Sequence, residues 1–363
     1  MPTMSADPKN TLPLSHSAIV QDHHGRPRLA EDVNLPVLKP GTVMVETIAV
    51  ALNPSDNKMG KTFPTPGAIV GMDFSGIVVS IHPETTTDLV IGDRVCGCVH
   101  GSNPSEPTNG AFAEHVRARP ELLLRVPDHL PMEHAATLGT GLMTNIMALW
   151  HPSALGLSAT LEAPAEKAFP VLVYGGSTAT GTLAIQLLRL SGLEPTVACS
   201  PHNFDLVQSR GATSVTDYMS PDALNEVRSH TQGRLKHAYD CIVDATSISH
   251  CYKALGRTGG RYISLEMVPK ELQTRRAVRA SLVLAYEGFG ENVALSKGYE
   301  SQADPEKLSL MVKHIHILQR YLDNGTLKTH PARCLDGGLA GILEGLRILK
   351  SGSVSGQKLA ILL

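Results

Sequence analysis

At 363 residues, with 42% hydrophobic and 18% charged residues, the chain is long enough for two domains with their own cores and too apolar for disorder. A net charge of −2 excludes a basic stripe for nucleic acid, and no polybasic cluster is present to bind a membrane surface. No stretch approaches the roughly 20 apolar residues of a membrane span, residues 1–20 lack the apolar segment of a secretion signal, and six scattered cysteines in mostly apolar contexts fit a reducing, cytoplasmic setting.

The first dozen residues read as a loose tail. Strands are expected at 17–20 and 42–50, with a turn at His23-His24-Gly25 between them. Asn53-Pro54-Ser55-Asp56 is a turn by composition. Further strands follow at 71–79, 91–97, 109–116 and 124–127. Short strands punctuated by glycine predict a partly open β-barrel and not a βα alternation. Helices are expected at 132–138 and 142–150, the second after a Gly139-Thr140-Gly141 turn, and the Pro/Ala-rich run 151–167 reads as a surface linker.

Residues 169–192, FPVLVYGGSTATGTLAIQLLRLSG, organise the second half. Pro170 to Tyr174 is a short apolar run of the buried parallel-strand type. The turn that follows contains Ser177, Thr178, Ala179 and Thr180, and Leu183, Ile185, Leu187, Leu188 and Leu190 then fall at helical spacing. The helix N-terminus has unpartnered N–H groups and a dipole that favours an anion, and small residues let a pyrophosphate approach. The spacing departs from GxGxxG, with Thr178 and Ala179 where glycine is usual. The next strand, 195–199, ends in Ser200, Pro201, His202 and Asn203, where a dinucleotide fold meets the adenosine ribose. NAD sites place a carboxylate there. Ser200, His202 and Asn203 offer donors that tolerate a 2′-phosphate instead, which points to NADPH. An ordinary strand–turn–helix packing unit is the alternative.

A helix at 204–210 and strands at 214–218, 239–244 and 260–265 continue an α/β alternation with a doubly wound parallel sheet. The strand ends select Ser200, Tyr218, Asp244, Ala245, Thr246, Leu265 and Glu266 as cleft residues. A helix at 308–322 stops at Asn324-Gly325, and 345–363 close the chain. The sixteen histidines include the close pairs His23-His24 and His314/His316, but neither has an accompanying carboxylate cluster. They read as surface residues, Cys96 and Cys98 are too close for a zinc knuckle, and no metal site is expected.

With these residues in view, the chain resembles the zinc-free, quinone-reductase-like branch of the medium-chain dehydrogenase/reductase superfamily over nearly its whole length. The resemblance rests on Asn53-Pro54-Ser55-Asp56, Gly71-x-Asp73-Phe74-Ser75-Gly76, Gly92-Asp93-Arg94-Val95 and Gly110-Ala111-Phe112-Ala113-Glu114. The strings from Val173 to Thr180, Leu188 to Gly192, Cys199 to Leu206, Ser209 to Ala212 and Ser355 to Leu359 are similar to the fungal trans-acting enoyl reductases of the lovastatin-pathway type. That likeness implies a GroES-like substrate and catalytic domain over 1–167, a Rossmann NADPH domain over 168–300 and a return of 301–363 to the catalytic domain. It implies NADPH-dependent reduction of α,β-unsaturated acyl thioesters, held on the acyl carrier protein of a highly reducing polyketide synthase, by a cytoplasmic monomer of fungal secondary metabolism. No metal is implied. Ser55 stands where zinc-dependent relatives carry cysteine, Gly71-Met72-Asp73 where they carry Gly-His-Glu, and their four-cysteine lobe is absent; hydrogen-bond donors can stabilise a thioester enolate.

The same resemblance distributes the site. Zinc-free enoyl-thioester reductases place a tyrosine shortly after the Asn-Pro-Ser-Asp turn; here the nearest aromatic is Phe63, without a proton to give. Lys58 is the titratable donor in reach. It would fix the nicotinamide ribose, polarise the thioester carbonyl, or stand as a solvated surface lysine. Ser55, Asp56 and Asn57 are implied at the nicotinamide end, with Asp56 also readable as a turn residue. Tyr218 is either a phosphoadenosine contact or a buried strand-end tyrosine, and Leu265, Glu266, Val354 and Ser355 complete the coenzyme set. Thr144, Met147, Ala148 and His151 share a helical face that an acyl chain could follow, or that is ordinary core. Ala285, Tyr286, Gly288 and Phe289 match a pocket-closing segment. A quinone or small-enone reductase, and an NADPH-binding scaffold without catalysis, are the competing functions.

Overall fold

Residues 12–363 are described by a computed structural model; the loose tail expected over the first dozen residues lies, but for Leu12, outside that range. The first strands, β1 (Ser15–Gln21) and β2 (Pro27–Asn34), form an antiparallel hairpin. Then come β3 (Val43–Ala51), α1 (Pro54–Thr62), β4 (Asp73–Ile81), β5 (Arg94–Cys98), β6 (His115–Ala118) and β7 (Leu124–Arg125). Two helices, α2 (Met132–Ala135) and α3 (Gly139–Trp150), follow them. Short antiparallel strands dominate, as the glycine punctuation predicts, although β4, β5 and β6 begin a few residues later than expected.

Three expectations in this half need correction. Asn53-Pro54-Ser55-Asp56 is not a free turn but the start of α1: Asp56 Oδ2 accepts the Asn53 N–H at 2.7 Å across the helix entrance. The Gly139-Thr140-Gly141 turn is already the first turn of α3. Residues 151–167 are not a surface linker, because Ala154, Leu155, Leu157, Ala159 and Leu161 are buried in the main core and Trp150 Nε1 donates to Ala159 O at 3.0 Å.

The second half alternates β8 (Pro170–Tyr174), α4 (Ala179–Leu190), β9 (Glu194–Cys199), α5 (Phe204–Ser209), β10 (Ser214–Asp217) and α6 (Ala223–His230). It continues with β11 (His237–Asp240), α7 (Ala245–Ala254), β12 (Gly260–Ser264) and β13 (Val278–Leu282). The six strands are parallel in the order β10-β9-β8-β11-β12-β13. The chain winds outward from β8 on one side and resumes at β11 on the other, so a crevice opens at the carboxyl ends of β8 and β11. Strand β11 ends at Asp240 and not at 244, since its carboxylate turns back to accept the Ile242 and Val243 N–H groups, both at 3.0 Å.

The last elements are α8 (Pro305–Asp323), β14 (Ala332–Leu335), α9 (Gly338–Lys350) and β15 (Lys358–Leu362). Strand β15 pairs with β14 and with β3, completing a seven-stranded sheet ordered β14-β15-β3-β4-β5-β7 with β6 also on β3. Ile342, Leu346, Leu359 and Ile361 enter one core with Val43, Val50 and Phe74. Helix α3, buried on every side except at Thr140, lies between this sheet and the parallel one and packs on α4 and α8. His314 of α8 is not a surface residue: it is buried, stacks on Trp150 with ring centroids 4.2 Å apart, and its Nδ1 lies 2.8 Å from Leu310 O. Among the described residues no helix is long and apolar enough to cross a membrane.

Candidate active site

The expected coenzyme end begins at the β8–α4 turn. A side chain at Gly176 would collide with Val197 Cγ1, so the turn lies flat on the sheet. Thr178 caps α4, its Oγ1 accepting the Gly181 N–H at 3.0 Å. Ser177, Thr178, Ala179 and Thr180 are half-buried around the remaining N–H groups of that first turn. Asn145 of α3 donates to Thr180 O at 3.0 Å and so joins this turn to the central helix.

At the end of β9, Ser200 Oγ donates to Tyr218 Oη at 3.4 Å. Asn203 Nδ2 donates to Ser355 Oγ at 3.0 Å, and His202 Nε2 lies 2.9 Å from the same oxygen. Gly356, at φ +62°, allows that contact; a Cβ there would run into Asn203 Oδ1. Tyr218 is half-buried beside Tyr174. The cluster Ser200, Pro201, His202, Asn203, Tyr218, Val354 and Ser355 contains hydroxyls, an amide and an imidazole but no carboxylate. That donor set, with the flat small-residue turn, fits a phosphorylated dinucleotide.

At the opposite end of the cleft, Lys58 Nζ is ion-paired with Glu266 Oε1 at 2.5 Å, and Tyr299 Oη donates to Glu266 Oε2 at 3.0 Å. Lys58 is therefore not a solitary solvated lysine, although the pair is too exposed to add much stability. Lys297 Nζ donates to Thr62 O at 2.9 Å, and Tyr299 packs edge-on against Phe63, so this segment clasps the end of α1. Leu265 is half-buried beside Glu266. Asn57, expected at the nicotinamide end, donates its amide N–H to Leu346 O of α9 at 2.9 Å.

Two buried carboxylates lie under α1. Burial pushes Asp56 up to about 8, against the lowering pull of the Asn53 N–H, and its Oδ1 has no partner. Asp73 is held from several sides: by Lys358 Nζ, by Asn53 Nδ2 at 2.9 Å and by the Thr140 N–H at 2.5 Å.

Above them sits a sulfur-centred cluster. Ser55 Oγ donates to Met72 Sδ at 3.2 Å, and Tyr286 Oη donates to the same sulfur at 3.3 Å. The Tyr286 ring stacks on His100 with centroids 3.7 Å apart and planes 15° from parallel. Burial lowers His100 to about 3, so its imidazole is neutral. Ala285, Tyr286, Gly288 and Phe289 form one 3-10 turn against α8 and α3.

The α3 face expected to border an acyl chain is buried. Thr144 is buried with its hydroxyl donating back to Thr140 O at 2.7 Å. Met147 and Ala148 are enclosed in the core, and His151 caps the far end of α3 with Nδ1 2.7 Å from Ser153 Oγ. Met143 is the side chain that meets the 285–289 turn: a Cβ on Gly288 would stand 3.1 Å from its Cε, and Cys98 Sγ lies 3.1 Å from its Sδ. Because α3 is buried everywhere but at Thr140, periodicity does not tell which face borders the cleft. Met72 and Asp73 fall inside the Gly71-x-Asp73 motif and Lys358 inside the Ser355 to Leu359 string, whereas His100 and Tyr299 carry no local signal. Among the described residues no three His, Cys, Asp or Glu side chains converge as a metal site would require.

Comparison with known proteins bears on the chemistry. Residues 39–128 match the alcohol dehydrogenase GroES-like domain. The chain is 48% identical to trans-enoyl reductase TwmE of Talaromyces wortmannii over 355 residues, covering 94% of this chain and 96% of that protein. It is 43% identical to trans-enoyl reductase buaC of Petromyces alliaceus over 351 residues, covering 97% and 98%. The solved quinone oxidoreductase from Coxiella burnetii superposes with a TM-score of 0.69 at 22% identity, covering 96% of this chain and 99% of that one, a likeness of fold alone.

Proposed function

The chain belongs to the trans-enoyl reductases, and from that premise we propose that it uses NADPH to reduce α,β-unsaturated acyl thioesters presented by the acyl carrier protein of a highly reducing polyketide synthase. It is an oxidoreductase acting on a carbon–carbon double bond. The observation that carries the choice of NADPH is the carboxylate-free cluster of Ser200, His202, Asn203 and Ser355, whose donors suit a 2′-phosphate and leave no carboxylate to accept from a free 2′-hydroxyl. The α4 N-terminus would hold the pyrophosphate through backbone N–H groups, with Thr178 and Gly176 keeping the turn open to it.

Bound in this cleft, NADPH supplies the hydride that the reduction requires. Lys58 positions the nicotinamide end, since it already reaches across the cleft to Glu266 beyond β12. Ser55 joins it at the nicotinamide end, its hydroxyl held on Met72 Sδ at 3.2 Å. The enzyme works as a monomer in the cytoplasm beside its synthase, a setting in keeping with six free thiols.

The test is coenzyme oxidation with a panel of α,β-unsaturated acyl-pantetheine thioesters, run beside free enones and quinones, and a calorimetric titration with NADPH and NADH. Turnover of the thioesters with NADPH, at rates well above those for quinones, is expected. Faster quinone turnover would make the protein a reductase of free metabolites, and tighter binding of NADH would overturn the coenzyme assignment.

A further inference from the structure

Reduction of a conjugated thioester delivers a hydride to the β-carbon and leaves the α-carbon in need of a proton. Lys58 is committed to Glu266, and the Thr144 hydroxyl already donates to a backbone oxygen. Tyr286 is different. Its hydroxyl is buried, its partner is a thioether, which is a weak acceptor, and it shares that sulfur with Ser55. The proton is therefore aimed but held loosely. Next to the ring, His100 supplies a flat neutral surface that fixes the phenol's plane, and its buried Nε2 has no partner. His100, Tyr286 and Phe289 also line a groove of about 240 Å³ that runs out past the half-buried Asn103 to the exposed Glu291.

Resting on the enoyl reductase reading above, we propose that Tyr286 is a catalytic residue that protonates the α-carbon of the substrate. As the hydride reaches the β-carbon, the electron pair of the double bond moves onto the α-carbon and the thioester oxygen. The Tyr286 O–H bond then breaks as the α-carbon–hydrogen bond forms, and the tyrosinate regains a proton from water entering by the groove beside His100. Burial pushes the phenol upward, so it stays protonated until the strongly basic enolate forms. Of the two hydroxyls on Met72, only the phenol is acidic enough to titrate in proteins; the Ser55 alcohol is left as a hydrogen-bond donor.

The test is Tyr286→Phe, which removes one oxygen, assayed with an α-methyl enoyl-pantetheine thioester and NADPH in D₂O, with the α-carbon configuration of the product read by chiral chromatography. Wild type is expected to give one α-configuration. The variant is expected to bind NADPH with unchanged Kd, to lose roughly 10²- to 10⁴-fold in kcat, the usual contribution of a general acid, and to give a mixed α-centre. A mixed centre supports the assignment even at an undiminished rate, because the proton then arrives from solvent without facial control. A single α-configuration from the variant overturns it, whatever the rate. If Tyr286→Phe does not fold, Met72→Leu, which removes the acceptor that aims the hydroxyl, is expected to erode α-selectivity; full selectivity in that variant is the refuting result. A wild-type enzyme that turns over no thioester refutes the enoyl reductase reading itself, an outcome distinct from either variant's.

Discussion

Replacing Lys358 by methionine tests how the two ends of the chain are held together. Lys358 Nζ lies in the barrel interior against Asp73, with the lysine side chain 4% exposed and the carboxylate 0% exposed. Methionine keeps most of the volume and removes the charge. The Asn53 amide and the Thr140 N–H still reach Asp73, but neither neutralises it, so a carboxylate is left buried with no cation. Removing one partner of such a pair typically costs about 3–5 kcal/mol. At about 2.1 cal/mol/K of unfolding entropy per residue, a loss of ~4 kcal/mol over 363 residues lowers Tm by roughly 5 °C if the chain melts as one unit. The assay is urea and thermal unfolding of wild type, Lys358→Met, Asp73→Asn and the double variant. Each single change is expected to be strongly destabilising and the double variant to be less destabilised than the sum of the two. A Lys358→Met loss below about 1 kcal/mol, the range of a solvent-exposed pair, would refute the claim that this pair is desolvated.

Three further outcomes follow from the site. Asp56, near 3.8 when unfolded and about 8 in the fold, favours folding fully below pH 3.8 and progressively less as pH rises to about 8; Asp56→Asn should remove a slope of at most about 1.4 kcal/mol per pH unit, read from urea unfolding at pH 5 to 8, and an unchanged slope would sink the assignment. Ser200→Asp puts a carboxylate among the donors at the adenosine end and should weaken NADPH at least tenfold, about 1.4 kcal/mol, while improving NADH; calorimetry decides, and equal weakening of both coenzymes would contradict it. Gly356→Ala adds a Cβ where Asn203 Oδ1 already sits and at φ +62°, so NADPH Kd should rise with a stability loss of about 1 kcal/mol; unaltered affinity would mean that the Ser355 contact is not part of the coenzyme seat.

The parallel sheet was legible because each of its signals is local. The apolar run of β8, the small-residue turn and the helical spacing of Leu183 to Leu188 occupy neighbouring residues, and the donors of Ser200 to Asn203 stand where a strand end must deliver them. Local signals also misled. Asn, Pro, Ser and Asp make turns and open helices with equal ease, and only the Asp56–Asn53 closure distinguishes the two at α1. Proline and serine between 151 and 167 masked the alternating burial of Leu155, Leu157 and Leu161. Helix α6 and strand β13 each bury few residues and left no periodic trace. The catalytic floor was beyond sequence for a different reason: Met72 and Tyr286 are 214 positions apart, and Asp73 and Lys358 are 285 apart. Nothing in either segment names its partner.

Those long separations have a functional logic. The segment that enters β15 carries Ser355 to His202 and Asn203 at the coenzyme end, and, within one turn of chain, Lys358 to Asp73 in the barrel. Asp73 in turn fixes Asn53 at the entrance of α1, which bears Ser55 and Lys58, and the Thr140 N–H in the first turn of α3, the helix that carries Thr144. One strand therefore ties the proposed adenosine seat, the helix that bears Lys58 and the helix between the two sheets to a single buried carboxylate. A shift of β15 along β3 by one residue would turn Lys358 to the opposite face of the sheet and strand Asp73. The register of the last strand is thus constrained by the buried pair as well as by the core, and an ion pair that is a poor source of net stability finds its use in specifying it.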